Sequence, residues 1–300
     1  MDVARAAERL APYAPPTPLV QSLLLSRDLG CELWVKNETV SPIASFKWRG
    51  ALNAILGSDV PVVTSSTGNH GQGVAWAART AGVAAHVFLP LGANPLKRAK
   101  IELLGATIHD TGHDLDDAKA QAMDFAREHA LRFIDDGESA EVIAGAGTVG
   151  FEIAQQLRDL DVVYAPMGSG SLASGVGIAM PGTRVIAVQA KGSPAMVESF
   201  HARGAIERPI DTLAEGLMCR VPAQLALELL IAHVADAVTV SDDELLAAAR
   251  RMILGAQVLV EPSGAAGLAA ALRDDVRGKR VVVIATGANI TPDAFRRLHA

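Results

Sequence analysis

A chain of 300 residues with 50% hydrophobic content is long enough for two domains of ordinary size and has ample material for buried cores. Its net charge of −6, with 4% aromatic residues and no stripe of lysine and arginine, argues against nucleic acid as a partner. Two cysteines, Cys31 and Cys219, without a CxxC pair argue against a disulfide framework or a thiolate zinc site and fit a reducing cytoplasm, while no apolar run approaches the roughly 20 residues of a membrane helix.

Residues 3–10 read as a short helix, after which Pro12, Pro15, Pro16 and Pro18 hold an extended segment through Thr17-Pro18-Leu19, because proline fixes φ and removes a donor. Residues 32–37 alternate loosely as a first strand and lead to Ser41-Pro42-Ile43-Ala44-Ser45-Phe46-Lys47-Trp48-Arg49-Gly50-Ala51. Ser45 reads as the N-cap of a helix from Phe46 to roughly Leu56. Lys47 then sits at the positive end of the helix dipole beside Ile43, Phe46 and Trp48, where a neutral, nucleophilic amine suited to Schiff-base chemistry is favoured over an ammonium. Taken alone, the commoner fate of such a lysine is to snorkel its stem over the surface.

Strand signals at 60–64, 84–89, 107–109 and 131–134 alternate with helices that end at Thr80, span 95–104 and span 115–130. Pro95 behind Asn94 and Gly105 after Leu104 are start and stop signals in the expected order, and Lys97, Arg98 and Lys100 read as one solvated helix face. In the second half, 147–160 reads as a helix, 161–166 as a buried strand, 168–175 as a glycine and serine turn opening another helix, and 183–190 as a strand. Ser241-Asp242-Asp243-Glu244 is a capping box for a helix over 242–254, and 258–260, 263–272 and 280–285 form one more β-α-β unit that ends in Thr286-Gly287-Ala288-Asn289. The pattern predicts two open, twisted, mostly parallel α/β sheets flanked by helices around one cleft. With no low-complexity linker, the chain is expected to cross between domains, giving a large domain of 1–51 and 138–300 and a small one of 52–137.

Two strand-to-helix turns offer anion sites, since backbone N–H groups and a helix dipole converge there. Gly168-Ser169-Gly170-Ser171-Leu172-Ala173-Ser174-Gly175 has the small residues and hydroxyls to encircle a phosphate. It also satisfies G-x-G-x-x-G/A, but the next strand ends at Gln189-Ala190-Lys191 without the acid a dinucleotide site needs, so a phosphate monoester fits better. The other turn, Ser65-Ser66-Thr67-Gly68-Asn69-His70-Gly71-Gln72-Gly73, reads as a carboxylate cradle, with His70 open between a general base and a residue that fixes the loop. His109-Asp110 and His113-Asp114 imitate a metal cluster, but Gly112 keeps the histidines off one helix face, and a solvated loop is the preferred reading. Asp211, Glu215 and Glu261 are open between cation binding and capping, and no metal site is assigned.

An imine lysine, a phosphate turn, a carboxylate turn and a strand-end Thr-Gly-Ala-Asn together specify pyridoxal 5′-phosphate. Residues 45–51 resemble the SFKxRGA lysine motif of fold-type II pyridoxal-phosphate enzymes, in the serine/threonine dehydratase and serine racemase group. In the same order, 66–72 resembles the group's SSGNHGQ loop, 142–153 its VIAGxGTxGxEI run, 168–172 its GGGGL loop and 286–289 its SGGN end; the likeness extends from Thr17 to Asn289.

The resemblance implies a tryptophan synthase beta-like fold with the cofactor in the cleft and Lys47 as both Schiff-base lysine and base or acid at Cα. It also implies that Phe46 lies against the pyridine ring, that Asn69 contacts the 3′ oxygen, and that Gly168, Ser169, Gly170, Ser171 and Leu172 hold the phosphate. Thr286 would stand beside the pyridine nitrogen, a hydroxyl contact that favours β-elimination over transamination. Ser66, Thr67, Gly68, Asn69 and His70 would bind the substrate carboxylate. Thr67 replaces the serine that handles the opposite-face proton in racemases of the group, a second catalytic candidate that is stiffer at χ1. Ser169 and Ser171 replace glycines, Ala288 a glycine, Ala146 a glutamine, and Glu215 the aspartate of an ADG sequence, which puts a divalent cation site in doubt.

The implied activity is ammonia-lyase: L-threonine or L-serine to a 2-oxo acid and ammonia. Alternatives are 3-hydroxyaspartate, with Arg220 meeting the second carboxylate, and serine racemisation; outside the class stand a nicotinamide dehydrogenase, disfavoured by Gln189, and a catalytically silent cofactor-binding protein. A homodimer follows from the resemblance alone, and no C-terminal regulatory domain or feedback control is expected.

Overall fold

Runs of β-branched and small residues, closed by glycine or serine turns, alternate with alanine-rich helical stretches, and this alternation builds two sheets. In the computed structural model, which describes residues 1–298, the chain begins with α1 (Val3–Leu10), β1 (Leu19–Gln21), α2 (Leu23–Leu29), β2 (Glu32–Asn37) and α3 (Lys47–Ile55). It then runs β3 (Val62–Ser65), α4 (Asn69–Ala81), β4 (Ala85–Leu89), α5 (Pro95–Leu103), β5 (Thr107–Asp110), α6 (Leu115–Glu128) and β6 (Arg132–Phe133). The remainder is α7 (Ala140–Gln156), β7 (Val162–Pro166), α8 (Ser171–Ala179), β8 (Arg184–Ala190), α9 (Ala195–Ala202), α10 (Gln224–His233), β9 (Asp236–Val240), α11 (Asp242–Arg251), α12 (Ala266–Ala271), β10 (Arg280–Ala285) and α13 (Pro292–Arg297).

The larger sheet has the order β1-β2-β10-β7-β8-β9 and the smaller β5-β4-β3-β6; every pairing is parallel except β1 with β2. β10 shows why the large sheet is covered on both faces: Val281 and Val283 enter one core with α11 and α12, while Val282 and Ile284 enter the other with α7, α8 and α10.

Helix α3 is anchored by a buried ionic network. Arg49 forks onto Glu38 (2.8 and 3.0 Å) and Glu152 (2.6 and 3.0 Å), and Lys36 reaches Glu152 at 2.6 Å. Both cations are essentially unexposed, and Glu38 is fully buried. The network ties the first turn of α3 to β2 and α7, so the Lys47 segment has little freedom to shift.

Three local readings need correction. α7 starts at Ala140, capped by Ser139, rather than at 147. Its glycines serve helix packing: a Cβ on Gly145 would lie 2.5 Å from the Arg49 carbonyl oxygen. Residues 258–260 form no strand; β9 is the edge strand beside β8, and the chain reaches α12 through a π turn (Met252–Ala256) and a 3-10 turn (Pro262–Ala265). Ser45 is not the cap of α3. Phe46 holds that position without a side-chain bond, Ser45 forms an antiparallel bridge with Gly287, and its hydroxyl stands 3.5 Å from the Lys47 N–H.

Candidate active site

In the large sheet the strand order reverses between β7 and β10, and loops leaving the carboxyl ends of two such strands diverge to open a crevice. The end of β7 delivers 168–172 and the end of β10 delivers Thr286, whose carbonyl accepts from the Phe46 N–H at 3.1 Å. Phe46, Lys47, the whole 168–172 turn and Thr286 line one cavity. The smaller sheet adds the 66–70 loop from the end of β3 and Asp136 from just beyond β6.

Gly170 caps α8 with φ +98°, a backbone state that aims the first turn of the helix into the crevice. The hydroxyls of Ser169 and Ser171 both donate to Asp136, the latter at 3.2 Å, and Lys47 Nζ forms an ion pair with the same carboxylate. His70 Nδ1 lies 3.5 Å from Asp136 Oδ1, while its Nε2–H donates to the Ile134 carbonyl at 3.2 Å and holds the ring against the end of β6. Only 19% of the Asp136 side chain is exposed. Burial alone would push its carboxyl up, but Lys47, His70 and the Ser169 hydroxyl outweigh it and hold the group well below the ordinary carboxylate range.

The sequence reading placed Lys47 among Ile43, Phe46 and Trp48 and did not include this acidic partner. Nζ also stands 4.9 Å over the Phe46 ring. Asp136 escaped the sequence reading because Asp135-Asp136-Gly137 has the composition of a turn, and Asp135 does cap it, accepting from the N–H groups of Gly137 and Glu138.

Asn69 is oriented by two partners: its amide nitrogen donates to Glu261 at 2.6 Å, and its oxygen accepts from Asn289 at 2.7 Å. One amide N–H remains for another acceptor. Burial pushes the Glu261 carboxyl up, against the Asn69 hydrogen bond. In the same loop the Gly68 N–H donates to Ser66 Oγ at 3.2 Å, and Ser66 and Thr67 are half-buried.

Other readings change. Lys97 is buried and paired with Glu215, and Lys100 donates to Asn289 at 2.8 Å, so these lysines bridge toward the large sheet rather than forming a solvated face. His109 belongs to β5, stacks on Phe88 with centroids 4.4 Å apart, and meets His86 at 3.0 Å, unlike a solvated loop residue. Among the described residues no group of three or more His, Cys, Asp or Glu side chains is placed to hold a metal ion. Arg220 is paired with Asp116 (2.5 Å) and Glu207 (3.5 Å) at the surface.

These donors suit a phosphorylated aldehyde. Two hydroxyls at a helix start already grip an anionic carboxylate, and a primary amine lies beside them. Residues 10–287 match the model of the pyridoxal-phosphate dependent enzyme family. An L-threonine ammonia-lyase of Thermotoga maritima is 36% identical across 99% of this chain and 77% of its own length. An L-threo-3-hydroxyaspartate ammonia-lyase of a Pseudomonas species is 31% identical across 99% of this chain and 97% of its own. The structure of maize serine racemase superposes with a TM-score of 0.92 at 30% identity, covering 98% of this chain and 94% of that one. Other relatives, named as threonine dehydratases, are longer, and the chain spans 50% to 60% of their length. The chain therefore belongs to the pyridoxal-phosphate-dependent enzymes of fold type II, in the serine/threonine dehydratase family, with pyridoxal 5′-phosphate as its cofactor.

Proposed function

We propose that this chain is an ammonia-lyase that converts L-threonine or L-serine to a 2-oxo acid and ammonia. The observation that carries the reading is the convergence of Lys47 and the Ser169–Ser171 anion cradle at the switch point of the large sheet. When bound, pyridoxal phosphate supplies an aldehyde for the amino group and an electron sink for charge at Cα. Lys47 would take the Cα proton, which leaves with the β-hydroxyl as water; Gly168, Ser169, Gly170, Ser171 and Leu172 would hold the phosphate, and Phe46 and Thr286 would flank the ring. Ser66, Thr67, Gly68, Asn69 and His70 receive the substrate carboxylate, and Thr67 is the candidate for the opposite-face proton. The free N–H of Asn69 serves the 3′ oxygen. A neutral hydroxyl at Thr286 favours loss of the β-hydroxyl over transamination.

The Thermotoga maritima relative's name supports a β-hydroxy amino acid as substrate, and the Pseudomonas relative's name makes 3-hydroxyaspartate the competing one. Against the latter, Arg220 already has two carboxylate partners. The same reading assigns 1–51 and 138–300 to a cofactor domain and 52–137 to a carboxylate domain, in a homodimer. Free Cys31 and Cys219 support a reducing cytoplasm, and no helix among the described residues is long and apolar enough to cross a membrane.

The test is 2-oxo acid and ammonia release from L-threonine, L-serine and L-threo-3-hydroxyaspartate, with chiral analysis for D-serine. The purified protein should carry a visible imine band that Lys47→Ala removes together with activity. A protein that carries the band and releases no 2-oxo acid from any of the three refutes the assignment.

A further inference from the structure

We propose that Asp136 is a built-in competitor for the cofactor's phosphate and for the Lys47 amine, so that cofactor binding in this chain requires the carboxylate to leave the cradle. The inference rests on the pyridoxal-phosphate reading of the cavity. Each serine hydroxyl has one proton to give, and those of Ser169 and Ser171 are both given to Asp136. A hydroxyl that donates to a carboxylate does not at the same moment donate to a phosphate oxygen.

Charge leads to the same conclusion. A phosphate monoester carries about −1.5 to −2 near neutral pH. Facing it and the Asp136 carboxylate are the Lys47 ammonium and the start of α8, the latter worth about half a positive charge. Even with the His70 ring, 3.5 Å from Oδ1, counted as a full positive charge, the charge facing the two anions at most equals them. Lys47 is contested in a second way, because an ammonium locked in an ion pair has no lone pair with which to attack an aldehyde.

The mobile part is the Asp136 side chain rather than its loop. Asp135 pins the loop by accepting from Gly137 and Glu138 N–H groups at 2.8 and 3.0 Å and by its 2.6 Å salt bridge to Lys119. His70 Nδ1, 3.5 Å from Oδ1, can hold the carboxylate outside the cradle when the ring carries a second proton there, since Nε2–H is already given to Ile134.

The test uses the full chain stripped of cofactor with hydroxylamine, beside Asp136→Asn and Asp136→Ala prepared in the same way. Pyridoxal phosphate is titrated by its visible imine band, and inorganic phosphate by calorimetry. Removing a unit charge at contact distance should tighten cofactor binding at least about tenfold in both variants. Inorganic phosphate should gain affinity in parallel. Unchanged or weaker binding of both ligands by the variants overturns the proposal. If no protein develops the imine band, it is the cofactor reading that fails, and the phosphate titration still decides: tighter binding by the variants keeps Asp136 as the competitor, equal binding rejects it.

Discussion

Replacing Arg49 with methionine tests whether the buried ionic network, rather than local helix propensity, holds the lysine-bearing helix in place. The five N–H groups of the guanidinium serve six contacts of hydrogen-bond length, two each to Glu38 and Glu152 and one each to Thr17 and Thr148, with the two Nη2 protons shared among three of them. Burial opposes its charge, yet the two carboxylates outweigh burial and hold it more firmly protonated than in water. Methionine fills most of the volume but leaves Glu38 fully buried without that cation, and Glu152 with Lys36 alone. Breaking one partner of such a network costs about 3–5 kcal/mol. At roughly 2–4 °C per kcal/mol for a large domain, thermal unfolding followed by far-UV circular dichroism should drop by roughly 6–20 °C. Arg49→Lys should fall between the two, because it keeps the charge and loses the planar fork. Adding Glu38→Gln to Arg49→Met should recover part of the loss by removing the uncompensated charge. A drop below about 2 °C, or no recovery in the double variant, would refute the reasoning.

Gly145→Ala places a methyl 2.5 Å from the Arg49 carbonyl oxygen and should cost at least about 1–3 kcal/mol by forcing α3 and α7 apart, read as a lower urea midpoint; an unchanged midpoint contradicts the close approach. On the acid side, burial tends to raise Asp135, Asp136 and Glu152, but Lys119, Lys47 and Arg49 respectively outweigh it and hold all three below their ordinary values. Their contribution is complete above the unfolded values near pH 4 and is lost as pH falls through the folded ones, so urea midpoints at pH 6, 4 and 3 should decline steeply; a flat profile counts against the three ion pairs. Burial, then His109 and His129, keep His86 below the ordinary histidine value. The unfolded chain therefore takes that proton first, and the His86 contribution weakens as pH falls below about 6.5. An NMR titration of His86 that ends at or above the ordinary value is the result that would sink this reading.

Much of the site was legible because its signals are local. The glycine and serine turn at 168–172, the donor-rich loop at 66–70 and the first-turn position of Lys47 each depend on a few consecutive residues meeting the demands of a strand-to-helix turn. The alternation of apolar strands and helices carried the two-sheet architecture in the same way. Local composition misled where it served long-range packing. The helix read from Gly147 begins seven residues earlier, at Ala140, with Gly145 and Gly147 inside it where they let helices approach, and Val258–Val260 had the residues of a strand without a partner strand beside it.

By itself, then, the amino-acid sequence determined that an amine, a glycine and serine turn and a donor-rich loop would follow strand ends in an α/β protein, since parallel strands present their carboxyl ends on one side. Only the tertiary structure decided what those groups touch. Asp136 reaches Lys47 across 89 positions and Glu261 reaches Asn69 across 192. Electrostatic partnership depends on distance in space and on burial, and neither is encoded in the spacing of charges along the chain. The lysine that opens α3 was visible from its neighbours; the carboxylate that pairs with it was not.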